Sequence, residues 1–155
     1  MEKFYYLLYP MRVCLVTSSY GKKDNIMSAT WVYPLSFDPP IFGISVSKKR
    51  FSYNLIKKGK AFGINLTSPE MKEAVMVCGR KSGEEIDKFK EAKLTKEKGK
   101  KVVLIKESPA SIECELVKEI QIGDHIMFVG KVINVIERRK SKWLYHAGGD
   151  SFAIV

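Results

Sequence analysis

The stretch ASIECELVKEIQIGDHIMFVGKVINV, residues 110–135, decides the fold class because its pattern is typical of two strands joined by a tight turn. Polar and apolar residues alternate through Ala110–Ile120, which is the two-residue period of a strand with one face in a core. A second apolar run covers Asp124–Val135, and Gly123 between the two runs favours a short hairpin turn. The pattern therefore predicts a long antiparallel hairpin.

Short β-branched and apolar runs recur along the rest of the chain. We predict strands over Arg12–Tyr20, residues 26–33, Ile41–Ser47, Ala61–Leu66, Val102–Lys106, Trp143–Tyr145 and Phe152–Val155. The polar cluster Gly21–Asn25 is suited to a hairpin turn between the first two of these strands. Three prolines within Pro34–Pro40 predict a stiff, unpaired connector, because proline cannot donate a hydrogen bond to a sheet.

Three short helices are predicted between the strands. Ser52 is suited to cap the first helix, and Gly59 is suited to end it. Ser68, which stands before a proline, favours the start of the second helix. The third helix is expected over Glu84–Ala92, and the Lys/Glu-rich stretch Lys93–Lys101 is expected to be solvated.

The balance of elements indicates a single mainly β domain over residues 1–155. A chain of 155 residues with 45% hydrophobic residues can bury one core and leaves little room for a second. Most connections between strands are too short for the helical crossovers that parallel strands need. We therefore favour an antiparallel Greek-key barrel with short inserted helices over a doubly wound sheet.

An anionic ligand or partner is expected, since 27 Lys and Arg against 17 Asp and Glu give a net charge of +10. Residues 48–60 hold six basic side chains and no acidic one, at the predicted junction of a strand and a helix N-terminus. Such a junction favours a phosphate, with Ser47, Arg50 and Ser52 available to bind it. The alternative, that Ser52 only caps the helix and the lysines are solvated, stays open. Residues 80–106 hold ten basic and five acidic residues and are expected to form an exposed Lys/Glu face.

Other classes of ligand are less favoured by the sequence. The basic residues cluster in predicted loops and helices instead of alternating with aromatic residues on one sheet face, which weakens a nucleic-acid hypothesis. Cys14, Cys78, Cys114 and the two histidines form no pair with metal-ligand spacing, so no metal site is expected and the thiols are predicted to be buried and inert. No apolar run has the length of a membrane span or the form of an export signal, so we expect a cytoplasmic protein without membrane contact.

Seven short motifs stand in order along the chain. They are VCLVTS at 13–18, NIMSATW at 25–31, PLSFDPP at 34–40, ISVS at 44–47 leading to RFSYNLI at 50–56, FGIN at 62–65, CGRKSG at 78–83 with DKF at 87–89, and GDHIMFVG at 123–130. In this order they resemble the flavin reductase-like, FMN-binding split-barrel family, which includes NAD(P)H:flavin oxidoreductases, flavoredoxins and archaeal ferric reductases. The resemblance implies an antiparallel split barrel, FMN as cofactor and NAD(P)H as reductant.

The resemblance also implies a set of flavin-binding residues. The segment expected along the edge of the flavin ring comprises Met27, Ser28, Ala29, Thr30 and Trp31. Ser45 and Ser47 would contact the ribityl chain and phosphate, and Arg50 and Ser52 would hold the phosphate. The remaining positions are Tyr53, which follows as the aromatic residue of the family pattern, and Lys81, which would be an anion contact.

Two histidines bear on catalysis. His125 matches a position that lies near the nicotinamide in some reductases, and it is our candidate catalytic residue, although a solvated strand residue remains the alternative. His146 is predicted to be an ordinary loop residue, and the alternative is that it lines the pocket from the C-terminal end. Hydride transfer through a flavin requires no acid–base pair or nucleophile from the protein, which agrees with the absence of such a pattern from the sequence.

Three functional hypotheses follow. The first is an oxidoreductase that takes hydride from NAD(P)H onto FMN and passes electrons to free flavin, a ferric chelate or a protein. The second is a non-enzymatic FMN electron carrier of the flavoredoxin type, and the third is a basic barrel that binds nucleic acid. The resemblance further implies a homodimer with the flavin near the subunit interface.

Overall fold

A computed structural model describes residues 3–155 and consists mainly of antiparallel strands. The strands are β1 (Met11–Arg12), β2 (Cys14–Tyr20), β3 (Lys23–Ala29), β4 (Val32–Ser36), β5 (Ile41–Ser47), β6 (Ala61–Leu66), β7 (Lys96–Lys98), β8 (Val103–Ile105), β9 (Ala110–Ile122), β10 (His125–Glu137), β11 (Leu144–Gly148) and β12 (Ser151–Ile154). The helices are α1 (Phe51–Gly59), α2 (Lys72–Arg80) and α3 (Lys88–Glu91), with 3-10 turns at Phe4–Leu8 and Pro69–Met71.

Seven strands form the main sheet in the order β3-β2-β6-β9-β10-β5-β4, and each neighbouring pair is antiparallel. A second sheet has the order β1-β11-β12, and β7 pairs with β8 alone. The predicted fold class, an antiparallel mainly β architecture with short inserted helices, is confirmed. In the described residues, no helix is both long enough and apolar enough to cross a membrane.

The long hairpin predicted from residues 110–135 forms the middle of the main sheet. Strand β9 pairs with β10 from His125 opposite Ile122 to Glu137 opposite Ala110, so both strands are longer than predicted. Gly123 adopts φ +59° in the turn, a left-handed conformation that glycine takes at little cost. On the far side, β10 pairs with β5, which brings His125 opposite Ser47.

Three hydrophobic clusters hold the fold together, of which two are large and the third consists of Ala61, Val102 and Leu104. The larger one fills the barrel and includes the fully buried rings of Phe62 and Phe128. At Gly130 an added Cβ would lie 2.6 Å from the Phe62 ring, so only glycine lets β10 approach β6 this closely. The second cluster packs α2 and α3 against β2 and β3, with Cys78 and Phe89 buried in it.

The expectation that Pro34–Pro40 is unpaired is wrong for its first residues. Strand β4 continues to Ser36, and Pro34 stands opposite Phe42 of β5. Strand β4 is the last strand of the sheet, so a proline there removes no ladder hydrogen bond from a further neighbour. Whether a proline can lie in a paired strand therefore depends on the position of that strand in the sheet, which the local sequence does not show.

The predicted ends of the first helix are also wrong by one or two residues. Arg50 occupies the cap position, and Ser52 lies inside the first turn, where its hydroxyl accepts a hydrogen bond from Asn25 Nδ2 at 2.9 Å. Gly59 is the last helical residue, and only glycine fits there because a Cβ would lie 2.1 Å from the Ser19 carbonyl oxygen. Lys60 takes the left-handed conformation instead, with φ 59°.

One further prediction needs correction in the charged middle of the chain. The helix expected over Glu84–Ala92 is reduced to Lys88–Glu91, because the Asp87 carboxylate accepts the Lys90 N–H and starts the helix there. The lysines of the stretch expected to be solvated are exposed, and within it Lys96–Lys98 also forms a short strand, which was not predicted, paired with Val103–Ile105.

Candidate functional site

A cavity of about 480 Å³ opens where the N-terminal turn, the main sheet, α2 and the C-terminal hairpin meet. Its lining residues are Tyr5, Tyr6, Tyr9, Val13, Met27, Ser28, Ala29, Thr30, Trp31, Ser45, Val46, Ser47, Arg50, Val75, Met76, Gly79, Arg80, His125, His146, Gly149, Asp150 and Phe152. The volume lies within the range of small-molecule and cofactor sites. The larger cavity, as we call it, is therefore the first candidate for a ligand site.

The structure brings most of the predicted site residues to this cavity. Those lining it are Met27, Ser28, Ala29, Thr30, Trp31, Ser45, Ser47, Arg50 and His125. The end of β3 and the end of β5 supply the serine positions, and Ser45 N donates to the Trp31 carbonyl at 3.0 Å. This hydrogen bond fixes the segment after β3 against β5, so the two predicted halves of the site form one wall.

A smaller cavity of about 200 Å³ adjoins the larger one. The two share Met27, Arg50, Gly79 and Arg80, and the predicted residues Ser52 and Lys81 line the smaller one. Its charged lining residues are Lys49, Arg50, Arg80, Lys81 and Lys88, without a carboxylate among the residues that line it. The composition of its wall is that of an anion site.

Helix α1 begins at this smaller cavity. Arg50 is the cap residue, no side chain caps the first turn, and that turn carries no acidic residue. Nearby, Ser47 Oγ accepts a hydrogen bond from Lys49 N at 3.3 Å. The free N–H groups and the helix dipole therefore add to the positive potential at the point where Arg50 connects the two cavities.

Tyr53 is the one predicted site residue that lies away from both cavities. It packs against the barrel core, with its ring 5.9 Å from the ring of Phe128. Lys57 Nζ lies 3.5 Å from its hydroxyl on the outer side. The geometry of α1 therefore gives Tyr53 a packing role, and no contact with either cavity supports the predicted ligand role.

Aromatic side chains form the wall opposite α2. The ring of Trp31 lies 5.6 Å from Tyr5 and 5.0 Å from His125, measured between centroids. Tyr9 and Thr30 share a hydrogen bond of 2.9 Å between their hydroxyl oxygens. The larger cavity thus offers flat apolar surfaces with hydroxyl groups at their edges, which suits a planar ring system with polar substituents.

His125 is the first residue of β10 and lines the larger cavity. Its Nδ1 lies 2.7 Å from Asp124 Oδ1, and its side chain is 26% exposed. The hydrogen bond and the nearby charge of His125 lower the pKa of the fully exposed Asp124 carboxyl from its ordinary value. Asp124 therefore orients the imidazole, whose other nitrogen is available to a ligand.

The loop prediction for His146 is wrong, because the residue lies in strand β11, and the alternative is confirmed, because His146 lines the larger cavity. Its ring packs 5.3 Å from Tyr9 and 5.6 Å from Phe152, and its Nε2 lies 2.7 Å from the Gly149 carbonyl oxygen. The glycines at 148 and 149 were consistent with a loop, but Gly148 is the last residue of the strand and the turn begins at Gly149. His146 is part of the aromatic wall.

Several cavity residues were not predicted from the sequence. Tyr5, Tyr6 and Tyr9 come from the N-terminal turn, whose aromatic richness was the available signal. Arg80 ends α2 and forms an ion pair with Asp150 in the turn between β11 and β12. Those two elements are 70 residues apart in sequence, so only the fold brings them together over the cavity.

The cysteines are buried, as expected, and none forms a disulfide. Burial raises the pKa of the Cys14 and Cys114 thiols to about 12 and that of Cys78 to about 11, so all three stay protonated at neutral pH. Within residues 3–155 no cluster of His, Cys, Asp and Glu has the arrangement of a metal site.

The chain is similar in sequence to curated proteins of other organisms. Among curated relatives, an uncharacterised protein of Pyrococcus abyssi is 44% identical over 131 residues, 83% of this chain and 75% of the relative. A ferric-chelate reductase (NAD(P)H) of Archaeoglobus fulgidus is 25% identical over 148 residues, 95% of this chain and 86% of the reductase.

The chain is also similar to proteins of solved structure. An FMN-binding protein of Thermus thermophilus superposes with a TM-score of 0.91 at 30% identity, covering 99% of this chain and 90% of that one. The flavoredoxin of Methanosarcina acetivorans superposes with a TM-score of 0.87 at 26% identity, over 96% and 86% of the two chains. Residues 6–153 match the family described as flavin reductase like domain. The chain therefore belongs to the flavin reductase-like family of split barrels.

Proposed function

We propose that this protein is an FMN-dependent oxidoreductase that takes hydride from NAD(P)H and passes electrons to a second acceptor, such as free flavin, a ferric chelate or a protein. One observation carries the proposal. A larger cavity with an aromatic wall joins a smaller cationic cavity at Arg50, beside the N-terminus of α1. FMN has the matching division into a flat ring and a phosphate.

The residues present fit FMN by their chemistry. The flat, partly apolar wall around Trp31 suits the flavin ring, and backbone groups and hydroxyls of Ser28–Thr30 lie at its edge. Ser45 and Ser47 line the larger cavity, and the Ser47 carbonyl accepts a hydrogen bond from Arg50 N at 3.0 Å, so both serines are available to the ribityl hydroxyls. Arg50 donates only a long 3.5 Å bond to the Gly79 carbonyl, so most of its guanidinium donors remain for the phosphate.

Bound FMN would supply the hydride acceptor and the carrier of single electrons. Residues of the chain would have three roles around the bound FMN. Arg50 and the N-terminus of α1 hold the phosphate, which fixes the position of the ring. Trp31 and Tyr5 cover one side and exclude water. His125, held by Asp124 in the wall of the larger cavity, would orient the reductant.

We assign His125 the role of a catalytic residue that positions the nicotinamide. His125→Asn should lower the anaerobic rate of flavin reduction by NAD(P)H by about tenfold, because misplacement of the reacting atoms slows hydride transfer. The dissociation constant for FMN should change by less than about threefold, since the side-chain hydrogen bond of His125 goes to Asp124 and not to Arg50 or Ser52, which are assigned to the phosphate. Asp124→Asn is the matched variant and should show a smaller loss; an unchanged reduction rate in His125→Asn would remove the catalytic assignment.

The proposal that NAD(P)H is the reductant rests on the similarity to other proteins. The Archaeoglobus fulgidus protein is described as an NAD(P)H-dependent ferric-chelate reductase, which supports pyridine nucleotide and a ferric chelate as reactants here. The second candidate is an electron carrier without NAD(P)H activity, which the likeness to the Methanosarcina acetivorans flavoredoxin favours. Both candidates require the flavin, and they differ in the source of electrons.

One spectroscopic experiment tests the function. The purified protein is loaded with FMN, freed of excess flavin and titrated anaerobically with NADH and, separately, NADPH. We expect a stoichiometric flavin absorption band that bleaches on addition of at least one nucleotide and returns with ferric citrate. A stable band that only dithionite bleaches would favour the carrier, whereas a protein that cannot be loaded would refute both. In the latter case binding of single-stranded DNA would support the nucleic-acid alternative.

The homodimer expected from the resemblance stays a proposal. Exposed apolar side chains on and beside the outer strand β4, Leu35 and Phe37, provide surface that a second subunit could cover. Light scattering after size exclusion should give about twice the 17.6 kDa of one chain, and a monomeric mass would refute the proposal. The cytoplasmic location also remains a prediction.

A further inference from the structure

The outer face of α1 and the tip of the β2–β3 hairpin form a basic surface to which the proposed function gives no role. Tyr20 and Lys23 stand opposite each other at the end of the hairpin, so their side chains lie on the same face. Lys58 Nζ lies 5.8 Å from the centre of the Tyr20 ring, and Lys23 Nζ lies 5.5 Å from that of Phe51. These contacts join the four side chains into one row, which, with Lys22 in the hairpin turn, we call the hairpin–helix patch.

The patch carries three ammonium groups and no carboxylate. The lysines at 22, 23 and 58 are exposed, and among residues 3–155 no carboxylate oxygen lies within 4.0 Å of any of the three. Helix α1 contains no acidic residue, and Asp24, which follows Lys23 in β3, pairs with Lys96 at 2.9 Å. Within the described part of the chain nothing neutralises the patch at contact distance, so its positive potential extends into the solvent.

Tyr20 gives the patch an apolar centre. Its side chain is 52% exposed, and tyrosine is enriched where proteins contact one another because its rigid ring buries a large area. Lys58 lies over this ring and Lys23 over the ring of Phe51, at the places where the bases of a nucleic acid would have to stack. An aromatic centre with a cationic rim therefore fits an acidic protein surface better than it fits a nucleic acid.

The patch adjoins the proposed flavin site, because Phe51 belongs to the row and also lines the smaller cavity. We propose that the hairpin–helix patch docks an acidic electron-transfer protein, which is the second acceptor. The inference rests on the proposed function for the source of the electrons. Oxidation of one NAD(P)H supplies two electrons, which reduce two molecules of a one-electron acceptor, and one proton is released.

Cross-linking of the wild-type protein maps the docking site. FMN-loaded protein is mixed with an acidic rubredoxin at low salt and treated with a carbodiimide, which joins lysine amines to carboxylates that touch them. Mass spectrometry should find the cross-links at Lys22, Lys23 or Lys58, and NaCl at about 0.5 M should abolish them because salt screens exposed charges. A basic cytochrome c should give no cross-link at these lysines. Cross-links to rubredoxin that are confined to other lysines, or their absence, would refute the docking site.

Charge reversal tests the effect on electron transfer. Protein whose FMN has been reduced with dithionite is mixed with oxidised rubredoxin in a stopped-flow instrument, so that the result does not depend on NAD(P)H. The triple variant Lys22→Glu, Lys23→Glu, Lys58→Glu should lower the second-order rate constant at low salt by about tenfold or more, because the electrostatic attraction between the two proteins is lost.

A second triple variant, Lys98→Glu, Lys140→Glu, Lys142→Glu, makes the same change in net charge at exposed lysines outside the patch. It should lower the rate constant by less than about threefold, since distant exposed charges are screened. Both variants should reduce uncharged benzoquinone at the wild-type rate. Equal losses with rubredoxin in the two variants would show that only net charge matters and would refute the docking site.

Two further outcomes separate the proposals. If the wild type forms no cross-link with rubredoxin but binds single-stranded DNA, and charge reversal in the patch abolishes that binding, the partner is a nucleic acid and the docking proposal is wrong. A protein that takes up no FMN would refute the proposed function, whereas missing cross-links in an FMN-loaded protein would refute the docking site alone.

Discussion

Two polar regions of the molecule, one around Glu113 and one around Arg50, differ in whether the protein itself supplies partners for their charged groups. The fully buried Glu113 carboxylate accepts backbone N–H groups of Lys100, Lys101 and Val102 and the Asn134 amide, at 2.6 to 3.2 Å. Among the cations at the smaller cavity, Lys49, Arg50 and Lys88 have no carboxylate within 4.0 Å in residues 3–155, and the side-chain partners of Arg50 and Lys88 are backbone carbonyl groups. Where the chain pairs a buried charge with its own donors, the group supports the fold. We propose that the cations left without a carboxylate at the smaller cavity bind a ligand anion.

The region around Glu113 leaves no polar capacity for a ligand. Asn65, fully buried nearby, donates to the Leu15 carbonyl and Thr17 Oγ1 and accepts from Ile105 N and Ser111 Oγ. Its amide therefore has partners for both donors and for its oxygen. This satisfied network ties β2, β6, β8 and β9 together, and we expect substitutions in it to change stability without changing ligand affinity.

The largest expected effect is on stability, from Glu113→Ala. Three backbone N–H groups would lose their acceptor inside the protein, so the free energy of unfolding should fall by about 3 kcal/mol. Urea unfolding measures the loss, and the FMN affinity of the folded protein should be unchanged. Glu115→Ala, which removes an exposed partner of Lys101, is the control and should cost less than about 1 kcal/mol. A loss of FMN affinity in Glu113→Ala would contradict the separation of the two regions.

The stabilisation of the protein by bound FMN should depend on the region around Arg50 and not on the region around Glu113. FMN at 100 times its dissociation constant should raise the free energy of unfolding of the wild-type protein by about 2.7 kcal/mol. Glu113→Ala should gain the same increment from a lower starting point, because its cavity is intact. Differential scanning fluorimetry with and without FMN gives the comparison, and a smaller increment in Glu113→Ala would show that the two regions are coupled.

Arg50→Ala should weaken FMN binding by about 1.5 to 3 kcal/mol, because a charge-assisted hydrogen bond to the phosphate is lost. The stability of the apoprotein should change by less than about 0.5 kcal/mol, since Arg50 is exposed and makes only a long bond to the Gly79 carbonyl. Lys48→Ala removes an exposed cation of the same loop that lines neither cavity, and its FMN affinity should match the wild type. Calorimetric titration of all three proteins distinguishes a specific phosphate contact from a general effect of charge.

The smallest effect is expected in the pH dependence. Burial alone would raise the pKa of Glu113, but the backbone N–H groups of Lys101, Lys100 and Val102, with Asn134, lower it below its ordinary value. A carboxyl with a lowered pKa in the folded state stabilises the protein above the unfolded-state pKa of about 4.3 and loses this contribution as the pH falls. The difference in melting temperature between wild type and Glu113→Gln should therefore be constant from pH 7 to 5 and shrink toward pH 3. A difference that grows on acidification would contradict the assigned direction.

Local sequence pattern was sufficient for most of the fold. The alternation before Gly123, the apolar run after it and the β-branched runs elsewhere gave the strands, because burial of one sheet face imposes that pattern. It failed for Pro34, where the outer position of β4 makes the proline harmless, and for Lys96–Lys98, whose charged side chains follow a backbone pairing that composition does not reveal.

The candidate site likewise contains some residues that the sequence predicted and others that it did not. Met27–Trp31, Ser45, Ser47 and Arg50 lie at the ends of strands and a helix, so motifs in the sequence pointed to them. Tyr5, Arg80 and His146 line the same cavity only because the N-terminal turn, α2 and the C-terminal hairpin converge in three dimensions. No local sequence pattern encodes that convergence, so the aromatic wall could be identified only from the structure.

The central claim, that the unpaired cations beside α1 exist for the phosphate of a flavin, is tested most directly by comparing FMN with riboflavin on the wild-type protein. Isothermal titration calorimetry of both ligands under identical salt gives the two dissociation constants. The account predicts one FMN per chain, bound about 100-fold or more tightly than riboflavin, because two or more charge-assisted contacts reach only the phosphate. Equal affinities, or no binding of FMN, would contradict it.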